Sequence, residues 1–185
     1  KKNLLNNKNV FFYNKGVNEK SLEPNSQDFG YCLGVLHHIT ETQKGIDSCF
    51  NILKKNSPFL IYLYYRFDNK PFWFRLIWKL SDFLRKLISR FPFPIKKIIT
   101  YIIALFIYLP LSRFSKLLNI FNVDVKNFPL SDYKDKTFYF MATDALDRFG
   151  TKLEKRFTKK EIKSMLLKSG FVDIQFSENT PHWVA

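Results

Sequence analysis

The sequence predicts an α/β fold on a mostly parallel sheet, and three stretches carry that prediction. Residues 29–33 and 59–65 are short, continuous apolar and aromatic runs. Parallel strands covered on both faces read this way. Between them, residues 41–55 place Ile46, Cys49, Phe50 and Leu53 on one helical face. Strand, helix and strand at this spacing predict a right-handed parallel crossover.

Taken in order, residues 10–13 are a short β-rich run, followed by the turn-prone Asn14-Lys15-Gly16. Residues 18–27 are polar, with Pro24 and Asn25 marking a loop. The run 28–39, Asp-Phe-Gly-Tyr-Cys-Leu-Gly-Val-Leu-His-His-Ile, ends its apolar part at Gly34. Ligands of open α/β sheets bind beyond the carboxyl ends of the strands, so residues 34–38 are the first place to look for a site. Asn56-Ser57-Pro58 closes the helix that follows.

At Arg66 the pattern changes. Residues 72–90 predict a helix with one narrow polar stripe of Arg75, Lys79, Asp82, Lys86 and Ser89. Pro92 and Pro94 interrupt it, and residues 98–111 form a second apolar stretch that Pro110 bends or ends. Its length is below the roughly 18 to 20 residues needed to cross a bilayer. A buried cap helix is expected, with an interfacial helix against lipid as the rival. Residues 124–136 are turn-rich and 137–156 mixed and polar. Thr158-Lys-Lys-Glu161 is a capping box opening a helix that stops at Gly170. Residues 171–176 alternate as a strand, and 181–185 read as a strand just begun.

At 185 residues the chain suits one domain with a sizeable core. Cys32 and Cys49 are too few for a disulfide framework or a metal set, and fit reduced packing residues in a cytoplasmic setting. The opening Lys-Lys-Asn-Leu-Leu, without a Met, reads as a cut into mid-domain, so a fragment is expected. The formal charge is +14, with a local excess of eleven Lys/Arg over two Asp across residues 66–116. An anionic membrane surface is one partner such charge fits, and peripheral membrane contact through residues 66–116 is the corresponding expectation. Compositional bias toward Lys, Asn, Ile and Phe is the duller explanation. Nucleic acid lacks support, since there is no RNA-binding signature, zinc-finger spacing or glycine-rich phosphate loop.

The run 28–39, the helix ending Ile52-Leu-Lys-Lys-Asn-Ser-Pro58 and the strand 59–65 resemble the second half of a class I S-adenosylmethionine-dependent methyltransferase. The family carries a motif close to D-x-x-x-x-x-G-V-L-H-H on its fourth strand. Here Lys-Asn-Ser-Pro replaces its usual glycine turn before the fifth. Arg156-Phe-Thr-x-x-Glu161 and Ser169-Gly-Phe-Val172 look like its last helix and sixth strand. The resemblance implies a Rossmann-like, mostly parallel sheet, incomplete because strands one and two are missing. Residues 10–13 would be strand three, and a helical insertion would follow strand five. It implies the domains 1–65 (partial core), 66–136 (basic aromatic insertion or cap) and 137–185 (the rest of the core).

The family holds its cofactor with a glycine-rich loop, and no G-x-G-x-G precedes Val10. The resemblance therefore implies a chain that binds S-adenosylmethionine weakly or not at all, and is inactive alone. By position, Val17 and Asn18 would meet the adenine. Cys32, Leu33 and Gly34 would offer backbone to the cofactor, and Leu36 and His37 would line its wall, with His38 pointing into the fold. The acceptor would be a small, amphipathic or lipid-linked molecule. If it needs a base, the candidates are His182, Asp144 and Tyr65, with Asp147 and Tyr64 behind them. For each, a structural role stands beside the functional one. Asp147-Arg148 reads as a local pair, and Glu154 and Arg156 as solvated. The competing class is a non-enzymatic membrane-surface or interaction module.

Overall fold

The computed structural model describes residues 9–17, 19, 22–68, 70–178 and 183–184. In chain order its elements are β1 (Gly30–Leu33), α1 (Thr42–Ile52), β2 (Phe59–Leu63), α2 (Phe72–Ile88), α3 (Phe93–Ile103), α4 (Leu109–Ile120), α5 (Phe138–Gly150), α6 (Lys159–Ser169) and β3 (Trp183–Val184). They fall into two compact units, residues 1–66 with 155–185, and residues 67–154.

The first unit is mixed α/β. β1 and β2 pair in parallel, Gly30 opposite Phe59 and Leu33 opposite Tyr62. β3 pairs with β2 in the antiparallel sense, giving the order β1-β2-β3. Among the described residues this small mixed sheet is not the Rossmann-like, mostly parallel sheet the resemblance implied. Three further expectations are corrected. Residues 10–13 form no strand, and Phe11, Phe12 and Tyr13 are exposed. Residues 171–176 form none either, because Asp173 turns left-handed (φ 54°) in the middle of the alternating run. Phe171 instead stacks on Phe59, with centroids 5.1 Å apart, and meets Phe50 edge-on at 5.0 Å. Finally, only one face of the β1–β2 pair is covered: Ile61 and Leu63 are buried, whereas Tyr31, Leu33 and Leu60 are exposed.

α1 is held from both ends. The Thr42 hydroxyl donates to the Leu36 carbonyl (3.0 Å), while Ile46, Cys49 and then Leu53 are buried. Gln43 on α1 donates to Asp47 (2.9 Å) and to the Ser169 hydroxyl on α6 (2.8 Å). Ser169 in turn donates to Asp47, closing a polar lock between the two helices. α6 begins with the capping box the sequence predicted: Glu161 N–H donates to the Thr158 hydroxyl, and Thr158 N–H to the Glu161 carboxylate. It ends at Gly170 with φ 105°, where a Cβ would sit 2.7 Å from the Phe50 ring.

The second unit is helical. Pro94 lies in the first turn of α3, where its missing N–H costs nothing. Of the two outcomes expected at Pro110, a bend or an end, the helix does not end there. A π-helical turn over Ala104–Tyr108 joins α3 to α4, with Leu109 N–H bonding back to the Ala104 carbonyl. The wider turn leaves room for the proline ring, so one continuous helix runs from Phe93 to Ile120. Residues 137–156 are not simply a polar segment, since they hold α5, capped by the Thr137 hydroxyl accepting from Phe140 N–H. Met141, Ala145 and Phe149 recur every four residues on α5 and pack with Ile88, Ala104 and Tyr108 into the core.

Candidate functional site

The carboxyl end of β1 is a sharp corner. Gly34 adopts φ 71°, a left-handed conformation that side-chain-bearing residues rarely take, and its N–H donates to the Tyr62 carbonyl (3.1 Å). Among the described residues only the Tyr62 ring, 3.9 Å away, comes within 4 Å of where a Cβ would sit on Gly34. The chain then makes a single 3-10 turn, Leu36–His38. Leu36 is fully buried against α1, where Gly45 permits the approach: a Cβ at Gly45 would lie 2.9 Å from Leu36 and 2.7 Å from Ile39. Val17 packs at the same spot, 3.6 Å from that position.

The histidines exchange the roles expected of them. His37, foreseen on the cofactor wall, is fully buried, and His38 is only half-buried. The His37 ring stacks on Tyr64 with centroids 3.7 Å apart and planes inclined by 25°. Neither of its ring nitrogens has a hydrogen-bond partner among the described residues. Burial, followed by the nearby His38 and Arg156 charges, pushes its pKa down to about 3. It is a neutral imidazole at any ordinary pH. The Arg156 guanidinium lies over the Tyr64 ring (5.0 Å) and donates to the Tyr65 carbonyl (3.3 Å), so Arg156 is not solvated as expected. Lys155 N–H donates to the His37 carbonyl (2.9 Å), tying the segment before α6 to the site.

The remaining candidates are placed as follows. Cys32 is half-buried with its thiol hydrogen-bonded to Cys49, and Leu33 is exposed beside Gly34. Tyr65 is buried. Asp144 belongs to the helical unit, where it accepts a 2.5 Å hydrogen bond from Tyr133, and burial pushes its carboxyl up. Arg148 pairs with Glu154 (3.0 Å), whose side chain is buried, rather than with Asp147. Asn18 and His182 lie outside the described residues. The first unit thus brings together Val17, Cys32, Leu33, Gly34, Leu36 and His37, while Asp144 belongs to the other.

Two residues of the 34–38 loop that were not among the expected cofactor contacts present surface there. Val35 is exposed, and the half-buried His38 follows the fully buried Leu36 and His37. A ligand at this corner would meet the Leu33 side chain, the Gly34 backbone, Val35 and His38. No protein-family model, no curated protein and no solved structure matches this chain.

Proposed function

We propose that the β1 corner is one wall of an S-adenosylmethionine cleft, and that the chain is part of a methyltransferase acting on a small amphipathic or lipid-linked acceptor. The observation that carries the reading is Gly34. A left-handed glycine ends a parallel strand, is followed by a one-turn helix with Leu36 and His37 buried, and among the described residues has only the Tyr62 ring within 4 Å of its Cβ position. Ligands of α/β sheets occupy that position because backbone groups converge there without side chains in the way.

The sulfonium of the cofactor is already activated, so transfer needs an acceptor held in line and water kept out. Leu33 and Val35 supply apolar contact, and Gly34 lets the backbone approach closely. Tyr65 is buried, and Asp144 is hydrogen-bonded to Tyr133 within the other unit, so transfer is assigned to positioning rather than to a base. These 185 residues contain no G-x-G-x-G. The expected affinity of these residues alone is therefore weak. Photolabelling with methyl-tritiated S-adenosylmethionine, followed by peptide mapping, tests the site. Label within residues 29–39, competed by S-adenosylhomocysteine, supports it; label elsewhere, or uncompeted label, refutes it.

A further inference from the structure

Around its core of Ile88, Ala104, Tyr108, Met141, Ala145 and Phe149 the helical unit exposes many large apolar residues. On α2 the outward residues Phe72, Leu76, Leu80, Phe83 and Leu87 recur every three or four positions and all are exposed, Phe83 by 65%. The charged Arg85 is buried instead, paired with Asp82 at 2.8 Å and donating to the Thr151 carbonyl at 2.9 Å. The same inversion runs along the Phe93–Ile120 helix. Its buried stripe is Thr100, Ala104, Tyr108, Ser112 and Ser115, whereas Ile98, Ile102 and Phe106 face out, Phe106 by 70%. Only 28% of its most apolar stretch is buried. This corrects the expectation of a buried cap helix.

Helices in water hide their large apolar residues and show their polar ones. Small and polar residues inside with large apolar ones outside is the arrangement that lipid selects, because apolar contact outside the protein costs nothing there. At roughly 1.5 Å per residue the 28-residue helix is about 42 Å long, more than the roughly 30 Å of a hydrocarbon core. Its apolar stretch is bracketed by Lys96, Lys97 and Arg113, cations suited to the headgroup layer. A cavity of about 290 Å³ at the end of α2 is lined by Lys86, Arg90, Lys152 and Ser89. Three cations and a hydroxyl fit a phosphate.

We infer that residues 67–154 form a bilayer-docking unit whose occupant is anionic phospholipid. Acyl chains cover the outward faces of α2 and the Phe93–Ile120 helix, and a headgroup phosphate enters the Lys86–Arg90–Lys152 cavity. The inference does not depend on the cofactor reading, which concerns the other unit.

Flotation of the 185-residue chain with phosphatidylglycerol and with phosphatidylcholine vesicles tests it. Wild type floats with both and at least tenfold more with phosphatidylglycerol. Leu80→Glu/Phe83→Glu alters only outward side chains, so the circular dichroism spectrum stays unchanged while flotation falls at least tenfold. Lys86→Gln/Arg90→Gln/Lys152→Gln brings binding of the two vesicles level. If the glutamate variant fails to fold, quenching of wild-type fluorescence by brominated acyl chains decides, and it should weaken in Trp73→Phe. Wild type left unfloated, a folded glutamate variant that floats normally, or no quenching would overturn the proposal. So would a lipid-free dimer that the glutamate variant splits while neither form floats, since a second copy would then be the occupant.

Discussion

Acid should destabilise the first unit in part through His37, and removing His37 should abolish that part of the acid sensitivity. The ring has an ordinary pKa of 6.5 and is held at about 3 by burial and by the His38 and Arg156 charges. The unfolded chain therefore takes up a proton that the folded chain refuses. Stability from this group is complete above pH 6.5 and is lost as pH falls from 6.5 toward 3. Each pH unit in that window costs about 1.4 kcal/mol, so wild type loses roughly 2 kcal/mol between pH 7 and pH 5 from His37, and on the order of 5 across the window. His37→Leu binds no proton and leaves no unpartnered ring nitrogen, so it should equal or exceed wild type at pH 7. Urea unfolding of both proteins at pH 7, 6 and 5, in a neutral detergent, measures the difference. Parallel wild-type and variant curves would refute the picture of a buried, neutral imidazole.

Other expectations follow from the same geometry. Thr158→Ala removes the acceptor for Glu161 N–H and should cost about 1 kcal/mol in urea unfolding. Gly170→Ala combines a left-handed φ with a Cβ 2.7 Å from the Phe50 ring, and should cost more than about 1 kcal/mol by the same assay. Glu154→Leu strands Arg148 in its half-buried setting. The expected loss is about 3 kcal/mol, seen as a lower melting temperature, with recovery in the Arg148→Met/Glu154→Leu double variant. Iodoacetamide should label Cys32 well before Cys49, whose thiol is buried and pushed up by its hydrogen bond to Cys32 and by burial, as peptide mass analysis would show.

Local chemistry made parts of this structure readable in advance. The Thr158–Glu161 box and Gly170 define α6 because both ends are satisfied by neighbours in sequence. α1 was legible because Ile46, Cys49 and Leu53 keep a helical period that the packing buries, whereas the continuous apolar runs of β1 and β2 located the strands but not their exposed face of Tyr31, Leu33 and Leu60. Residues 171–176 misled because Ile174 and Phe176 alternate with Asp173 and Gln175 like a strand, whereas Phe171 is spent on Phe50 and Phe59 and Asp173 breaks the extension. α5 was missed although Met141, Ala145 and Phe149 keep a four-residue period, since Asp144, Asp147 and Arg148 between them masked it. The inversion of α2 was half visible. Its narrow polar stripe showed in the sequence, but Arg75, Lys79 and Lys86 of that stripe stay exposed, and the burial of Arg85 beside it depended on its tertiary partners. At the candidate site, Gly34 was readable from its place after an apolar run. That His37 rather than His38 turns inward depends on the Tyr64 ring and was not.

The central claim is that the corner at Gly34 meets an adenosyl cofactor. A nitrogen-15 amide titration of the chain with S-adenosylhomocysteine tests it most directly. Saturable shifts confined to Val17 and the 32–38 segment, weakened in Gly34→Val, are the predicted result. Amides at Gly34, Val35 and His38 that stay unmoved at several millimolar ligand, or shifts centred elsewhere, would contradict it.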